Sequence, residues 1–302
     1  MPVSKKRRRT KTVAQSSKSA PNVATLPDRR AIESFMSAIG GRQSDDASAK
    51  AQDVIYGAWD QTSPRARIAL ARKALTISPL CADAYVLLAQ EQAKSAEERL
   101  EHYRKGVEVG EQALGPGGFK EYAGHFWGFL ETRPYMRARA GLAATLSALG
   151  ETDAAIGHYQ DMLRLNPRDN QGIRYALAAC LMRRGDTETL KKLLKRYDED
   201  GSASWLYTRA LIAFRENAPR EKAEELVKKA CKANSHVPAV LAGKKKAKPS
   251  TTGYLTVGGE DEAADYFEEW GFEWVTTPGA IDWLTNISAE MASTQTPRRS
   301  SH

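Results

Sequence analysis

The sequence predicts an all-α protein built from repeated helix pairs, and three observations support this prediction. Apolar side chains recur with helical spacing from about residue 45 to about residue 235, and no segment alternates apolar and polar residues as a strand would. Small, aromatic and proline residues return at similar positions along this stretch. The distances between those prolines approach multiples of one repeat length. Together these observations favour an array of stacked helical hairpins.

The segment from Gly150 to Pro167 shows the repeat most clearly. Gly150 ends one helix, Ala155 follows five residues later, Tyr159 four after that, and Pro167 eight further on. A small side chain at Ala155 lets two helices approach closely, and Pro167 ends a helix because its nitrogen carries no proton to donate. This spacing is the tetratricopeptide pattern, so we predict a tetratricopeptide-type α-solenoid of about five helix pairs with a C-terminal capping pair.

The spacing of the prolines locates an insertion. Pro167 and Pro238 are 71 residues apart, close to two repeats of about 34 residues. Pro79 and Pro167 are 88 residues apart, about twenty more than two repeats. We therefore predict an insertion at about 112–132. The rest of the array, residues 45–239, divides into five predicted pairs at 45–80, 81–111, 133–168, 169–200 and 202–236.

The stretch GHFWGFLETRPYMRARAGL ends this insertion and begins the third pair. We expect the aromatic residues Phe126, Trp127 and Phe129 to fill the seam between the second and third pairs. Thr132 and Pro134 are expected to start the next helix, as its N-cap and part of its first turn.

Segments on either side of the array have other compositions. Residues 1–26 are polar and basic and predict a disordered tail, while residues 27–44 predict a short helix followed by a linker. Residues 240–258 are rich in Lys, Gly, Pro and Ser and predict a loop. Residues 292–302 predict a second disordered tail.

A capping helix pair is predicted at 259–291. Its first helix opens with Glu260, Asp261 and Glu262, acids that are favourable at a helix N-terminus because of the helix dipole. Thr277 and Pro278 are expected to be the N-cap and the first position of its second helix.

The positive charge of the chain lies in its N-terminal tail. The formal net charge is +8, and the first 30 residues hold nine Lys or Arg against one acid, so the remainder sums to zero. This distribution gives no support to a basic nucleic-acid-binding face on the array. It leaves open an alternative function, association with nucleic acid or ribosomes through a basic run in the tail. The run consists of Lys5, Lys6, Arg7, Arg8 and Arg9.

No pattern of catalytic or metal-binding residues appears. The three cysteines are widely spaced in apolar helical contexts, at Cys81, Cys180 and Cys231. This spacing predicts buried thiols in place of a zinc site or disulfides. We therefore predict a non-enzymatic protein with no cofactor, no metal and no small-molecule substrate. An enzyme built around His125 or Glu131, in the 112–135 segment, is the alternative that stays open.

The sequence also gives an expectation for location. It contains no run of about 18 apolar residues and no apolar stretch after the basic N-terminus of the kind that secretory signals have. We therefore predict a cytoplasmic protein without a membrane partner.

Several segments together resemble a known family. They are CADAYVLLAQEQAKS, AGHFWGFLETRPYMRARAGLA, LRLNPRDNQGIRYALAACL, SWLYTRALIAFR and GGEDEAADYFEEW. Over roughly residues 50–285 the chain is similar to bacterial tetratricopeptide-repeat proteins related to the core of the suppressor-of-tumorigenicity-7 proteins. The resemblance implies a helical-repeat fold and a protein-interaction role, and no catalytic activity or cofactor. Animal members are membrane-associated, a property that is not carried over to this chain.

The repeat register predicts which side chains line a concave groove. In a tetratricopeptide hairpin these are roughly the second, fifth, ninth and twelfth positions of the first helix. In the third pair the register places Arg137 on the groove, with Ala140 and Ala144 at the fifth and ninth positions. Repeats that clamp chaperone carboxylates need Lys and Asn at those two positions, so that specific function is disfavoured.

The next two pairs place further polar side chains on the groove. Gln171 and Arg174 take the corresponding places in the fourth pair, and Thr208 or Arg209 in the fifth. A guanidinium can bind a carboxylate or phosphate through two parallel hydrogen bonds. The leading hypothesis is therefore a scaffold that binds a peptide or protein segment on its concave face, through arginines. The alternative left open is that each arginine is solvated or ion-paired locally.

Overall fold

The computed structural model describes residues 47–251 and 255–295. Thirteen α-helices and one 3-10 turn occur in these two ranges, which contain no strand. The all-α prediction is therefore confirmed. The short helix and linker expected at 27–44 and the N-terminal tail lie outside the described residues. Of the C-terminal tail, residues 292–295 still belong to the last helix.

Ten of the helices begin two by two within the five predicted pairs. They are α1 (Ala47–Trp59), α2 (Pro64–Ile77), α3 (Ala82–Glu91), α4 (Ala96–Glu121), α5 (Arg133–Ala148), α6 (Thr152–Leu165), α7 (Ile173–Arg184), α8 (Thr187–Arg196), α9 (Ala203–Arg215) and α10 (Arg220–Ala233). Three more follow: α11 (Val237–Leu241), α12 (Glu260–Val275) and α13 (Ala280–Gln295). Consecutive helices of each pair contact each other, and the first helices α3 and α5 also contact each other directly.

Local sequence explains where several helices begin and end. The Asp186 carboxylate accepts a hydrogen bond from the Thr189 backbone N–H at 3.0 Å, and the Ser202 hydroxyl accepts one from the Trp205 N–H at 3.3 Å. These caps satisfy N–H groups that have no partner within the first turn. Gly185 ends α7 with φ at 76°, a left-handed conformation that glycine adopts without steric cost.

Two hydrophobic clusters form the core, and α3 contributes to both. Ala84, Leu87 and Leu88 pack in the smaller cluster with α1 and α2. Val86 and Ala89 belong to the larger cluster, which extends through the later helices as far as α13. Each amphipathic helix therefore buries its apolar face only by packing on its neighbours, as the repeat pattern requires.

Helices α4 and α5 pack so closely that glycine is required at their contact. A β-carbon on Gly141 would lie 2.1 Å from Cε1 of Tyr103, and one on Gly110 would lie 3.1 Å from Cβ of Tyr135. A larger residue at Gly141 would have to displace the buried Tyr103 ring. This contact fixes the position of α5, which carries Arg137.

The predicted insertion is largely a continuation of α4. That helix breaks at Gly115, where φ is 59°, and resumes from Pro116 to Glu121 before the 3-10 turn Phe126–Gly128. Phe126 is buried, as expected, and its ring centroid lies 5.3 Å from that of Phe119 and 6.1 Å from that of Tyr135. The insertion thus builds an aromatic cluster at the seam between α4 and α5.

The other aromatics of this stretch are less buried than Phe126. Trp127 is half-buried against the larger core cluster. Phe129 is 43% exposed, and its ring centroid lies 4.7 Å from that of Tyr122. The seam-filling role is therefore complete for Phe126 and partial for its two neighbours.

The structure differs from the prediction in part at one helix start and fully at another. Helix α5 begins as predicted, with Thr132 in the N-cap position and Pro134 in the first turn. Thr132 makes no side-chain cap; its buried hydroxyl donates to the carbonyl oxygens of Phe126 and Phe129 and so ties the insertion to α5. Thr277 lies before a turn at Gly279, where φ is 77°, so α13 begins at Ala280 and Pro278 is not its first position. The Thr277 hydroxyl donates to the Glu273 carbonyl at 2.7 Å.

The C-terminal helices pack on the last predicted pair. Helix α12 contacts α9 and α11, and α13 contacts α10 and α11. A buried carboxylate, Glu262, holds this junction: it accepts hydrogen bonds from the Ala203 N–H at 2.9 Å, the Gly258 N–H at 2.7 Å and the Asn234 side-chain amide at 2.9 Å. The prediction of helix N-terminal charge at this position missed this buried role.

Candidate functional site

Arg137 lies on α5 and is ion-paired inside the protein. Its guanidinium donates to both oxygens of Asp83, with Nε at 2.8 Å and Nη2 at 2.5 Å. The guanidinium carbon also lies 5.0 Å from the ring centroid of Trp59 and 5.9 Å from that of Trp127. The Nε–Nη2 edge of this guanidinium, which would bind a carboxylate or phosphate through two parallel hydrogen bonds, is therefore occupied by Asp83.

Arg174 occupies a similar environment at the start of α7. It pairs with Asp169 at 2.9 Å and with Asp200 at 2.8 Å, and its guanidinium carbon lies 4.3 Å from the Tyr175 ring centroid. Burial opposes the charge of the Asp200 carboxyl, but hydrogen bonds from Ser202 and Arg174 outweigh it and lower its pKa. Burial opposes the charge of Arg174 as well, but its contacts with Asp200, Tyr175 and Asp169 outweigh it and raise the pKa of the guanidinium.

The two remaining groove candidates are also in contact with the array. The Arg209 guanidinium donates to the Leu194 carbonyl oxygen. Gln171 is half-buried, and its Oε1 accepts no hydrogen bond within the described part of the chain.

The structure therefore does not bring Arg137, Arg174 and Arg209 together as an open cationic strip. A ligand anion would reach the first two arginines only by displacing Asp83, Asp169 or Asp200, and their role as ligand contacts stays a prediction.

A cavity of about 620 Å³ opens beside the predicted groove positions. It is bounded by the start of α7, the start of α9, the exposed side of α12 and the segment before α12. Its lining residues are Gly172, Tyr175, Ala176, Ser202, Ser204, Leu255, Val257, Glu262, Asp265, Glu268, Glu269 and Trp270. We call this cavity the α7–α9–α12 groove.

The groove is acidic. Among its described lining residues are four carboxylates and neither Lys nor Arg. Glu269 pairs with Arg183 at 2.9 Å on the surface, whereas Asp265 and Glu268 form no ion pair within the described ranges. Burial, together with the charges of Glu268, Glu269 and Glu262, raises the pKa of Asp265.

Apolar side chains border the groove and continue beyond it. Val257 is 80% exposed, and Leu255 beside it is also exposed. On α12, Phe272 is 74% exposed and shares a helix face with Val275 and Asp265, which lie three residues after it and seven residues before it. Exposed residues of this size next to a concave surface are typical of interaction sites.

Internal hydrogen bonds fix the walls of the groove. The Tyr175 hydroxyl donates to Asp200 at 2.8 Å, which holds the ring at the start of α7. The Thr256 N–H donates to Asp261 at 2.8 Å, which holds the segment that carries Leu255 and Val257 against the N-terminus of α12. The groove is thus built on side chains whose positions are already determined in the free protein.

A sequence profile of the family described as ST7 protein matches residues 42–287. The chain belongs to the ST7 family. Curated relatives include the suppressor of tumorigenicity 7 proteins of Macaca fascicularis, Rattus norvegicus and Mus musculus, each 25% identical in an alignment of 281 positions that covers 78% of this chain. The match covers 52% of the first of these relatives and 48% of the other two, so the chain spans about half of their length.

The match to the ST7 family covers both the arginine pairs and the α7–α9–α12 groove. The match confirms the part of the sequence resemblance that concerns the ST7 family. Within residues 47–251 and 255–295, no helix combines the length and the apolar character needed to cross a membrane.

The cysteines and the histidines of the described ranges are not among the residues that line the groove. The thiols Cys81, Cys180 and Cys231 are free and buried, and burial raises the pKa of Cys81 to about 12. In the described ranges, no three or more His, Cys, Asp or Glu side chains are grouped so that they would hold a metal ion. His125 and Glu131 are both exposed, without the burial that usually accompanies a catalytic acid or base.

Sequence reasoning missed the acidic residues that matter most in this region. Asp83 was not recognised as a partner of Arg137, because the two are 54 positions apart and only packing brings them together. Asp265 and Glu268 had a local signal: with Phe272 and Val275 they recur at intervals of three or four residues along one face of α12.

The basic run from Lys5 to Arg9, on which the alternative nucleic-acid function depends, lies outside the described residues.

Proposed function

We propose that this ST7-family chain is a non-enzymatic interaction scaffold of tetratricopeptide type, which binds a segment of a partner protein in the α7–α9–α12 groove. The observation that carries the proposal is that exposed apolar side chains, Leu255 and Val257, line the cavity, and that the exposed Phe272 lies one helical turn beyond the lining residue Glu268 on α12. A groove that accepts an extended or helical segment needs both a concave surface and apolar contacts along its border.

The arrangement of helices supports this proposal. Among the helices that the repeat pattern makes first in their pairs, α3 contacts α5 and α5 contacts α7, and α9 contacts α12 of the C-terminal pair. In repeat arrays such neighbouring first helices line the binding face. The ion pair of Arg137 links α5 to α3, and that of Arg174 links α7 to the turn before α9. Groups held in place before binding reduce the entropy lost when a partner binds.

The test is site-specific photo-crosslinking in the native cell. A photoreactive amino acid at Val257, which is exposed at the groove, should form a crosslink to a partner protein, and the same amino acid at the exposed Glu225 on α10 should not. Crosslinks to the same proteins at both positions, or none at Val257, would show that the groove is not the binding site.

The arginines that the repeat register selected define a separate test within this proposal. If a ligand anion binds by displacing Asp83 or Asp200, reversing the charge of Arg137 and Arg174 should abolish capture of the partner. Capture of unchanged partners by correctly folded variants would exclude those arginines as ligand contacts.

A second function is favoured by the basic run in the sequence. Association with nucleic acid or ribosomes through Lys5 to Arg9 predicts that deletion of residues 1–26 abolishes binding, and that added salt weakens it steeply because counterions are released. The scaffold function predicts instead that this deletion leaves the crosslink at Val257 in place. Affinity capture with full-length and tail-deleted protein distinguishes the two.

A further inference from the structure

The α7–α9–α12 groove contains carboxylates that have no cationic partner. Three neighbouring acids are engaged by the protein: Glu260 pairs with Lys245, Asp261 accepts from the Thr256 N–H, and Glu262 accepts three hydrogen bonds. One turn later, Asp265 and Glu268 have no such partner within the described part of the chain. The difference marks these two as free to bind an external cation.

These carboxylates repel one another in the free protein. Asp265 lies three residues from Glu262 and Glu268 and four from Glu269, the spacings at which helical side chains are neighbours. Burial, and then the charges of these neighbouring carboxylates, raise the pKa of Asp265. A cation placed in the groove would relieve the repulsion, so the free energy of binding would include this term.

The groove is not only acidic. Tyr175 and Trp270 form part of its lining, and the ring planes of Trp270 and Tyr266 are stacked with an interplanar angle of 17°. The exposed Leu255 and Val257 face the same cavity, and Phe272 extends the apolar surface along α12. A small inorganic cation or a polyamine would leave these apolar side chains unused.

We infer that the groove binds a cationic segment of a partner protein, in which Lys or Arg side chains alternate with apolar ones. The inference rests on the proposed function and specifies the partner's chemistry. The cationic side chains of the segment bind Asp265 and Glu268, and Arg is particularly suited because its guanidinium also stacks on aromatic rings such as Tyr175. The apolar side chains pack against Leu255, Val257 and Phe272.

The inferred ligand has the opposite charge to the ligand that the repeat register predicted. The register placed Arg137, Arg174 and Arg209 on a concave groove and therefore favoured an anionic ligand. In the structure Arg137 and Arg174 are neutralised by Asp83, Asp169 and Asp200, and the carboxylates of α12 face the cavity instead.

Fluorescence anisotropy with a synthetic peptide tests the inference directly. The probe is a labelled twelve-residue peptide in which Arg and Leu alternate, and the protein is the full chain. The double variant Asp265→Asn/Glu268→Gln should weaken binding on the order of tenfold, because two exposed ion pairs contribute up to about fivefold each. A peptide with Ser in place of Leu should bind more weakly than the probe.

A matched control separates a specific site from general attraction. Glu221→Gln/Glu225→Gln removes two exposed acids from α10 and changes the net charge by the same amount. It should leave the affinity for the peptide unchanged. Equal weakening by both double variants, or tight binding of the Ser peptide, would overturn the inference. Circular dichroism of each variant establishes that it is folded.

The crosslinked segment at Val257 separates this inference from the proposed function. Mass spectrometry should identify a segment rich in Lys or Arg, interspersed with apolar residues. A crosslinked segment without positive charge would contradict the inference and leave the scaffold function standing. If no partner is crosslinked at Val257, the scaffold function at this groove fails as well.

Discussion

Arg137 and Asp83 form a two-point ion pair that joins α5 to α3 across 54 positions of sequence. The Asp83 side chain is fully buried, and that of Arg137 is 12% exposed. Gln52 on α1 donates to the same carboxylate at 2.8 Å, so Asp83 links three first helices. The pair spans the insertion and holds together the helices on either side of it.

Removing one partner of this pair should destabilise the fold strongly. Arg137→Met leaves the Asp83 carboxylate buried without its cation, and we expect the free energy of unfolding to fall by about 3–5 kcal/mol. Urea denaturation followed by circular dichroism measures the change. Arg220→Met provides the matched control: Arg220 is 89% exposed and pairs with Glu224 on the surface, so its loss should lower the free energy of unfolding far less than the loss of Arg137 does.

Replacing both partners by apolar residues tests the cause of that loss. In the double variant Asp83→Leu/Arg137→Met no buried charge remains, and we expect most of the stability lost in Arg137→Met to return. A double variant as unstable as the single one would show that Arg137 acts through packing on Trp59 and Trp127 and not through its charge.

Glu262→Ala should loosen the attachment of α12. The substitution removes the acceptor of the Ala203, Gly258 and Asn234 hydrogen bonds and leaves donors buried, which we expect to cost about 3 kcal/mol. Hydrogen exchange should show reduced protection in α12. Glu268→Ala, on the exposed side of the same helix, should change stability by no more than about 0.5 kcal/mol.

His158 should make the stability of the protein depend on pH. Burial and the nearby charge of Arg139 lower the pKa of this imidazole, and Asp161 offsets them only in part. The Arg139 Nε donates to Nδ1 of His158 at 3.3 Å, which the neutral ring accepts. The unfolded chain therefore takes up this proton at higher pH than the folded protein, near its ordinary value of about 6.5.

The sign of the effect follows from this difference. The neutral ring contributes its full share to the free energy of unfolding above about pH 6.5. This contribution is lost as the pH falls through the folded-state pKa, which is lower. His158→Gln should remove this part of the pH dependence below about pH 6.5, measured by urea denaturation at several pH values. An NMR titration that placed the pKa of His158 at or above about 6.5 would contradict the prediction.

Asp265→Asn should stabilise the protein at neutral pH while weakening its binding. The substitution relieves like-charge repulsion at three- and four-residue spacing, which we expect to raise the free energy of unfolding by about 0.5–1 kcal/mol. The repulsion is fully present only above the raised pKa of Asp265, where this carboxyl is ionised. The stabilisation by Asp265→Asn should therefore vanish as the pH falls and Asp265 of the unsubstituted protein is protonated.

Asp282→Asn is the control for this prediction. Asp282 is an exposed acid in the first turn of α13, where the helix dipole favours negative charge. Its substitution should give no stabilisation. A loss of stability in Asp265→Asn would indicate that this carboxylate has a partner that stabilises it.

Particular residues show how far sequence reasoning reached. Helical spacing predicted the all-α class, and helix ends such as Gly185 follow from glycine's tolerance of positive φ, a local property. The same local reasoning failed at Thr132, whose hydroxyl had two carbonyl acceptors in the folded insertion and bonded to them instead of capping α5. A cap requires only neighbours in sequence, whereas this contact requires the chain to have already turned back.

The sequence by itself determined that this protein is all-α, that its basic charge is concentrated in the first 30 residues, and that it resembles the ST7 family. These depend on spacing, composition and segments that can be read along the chain. Only the tertiary structure decided that Arg137 and Arg174 are neutralised inside the array, and that the α7–α9–α12 groove is acidic. The physical reason is that an ion pair forms between side chains close in space, and packing sets that distance for residues that are far apart in sequence.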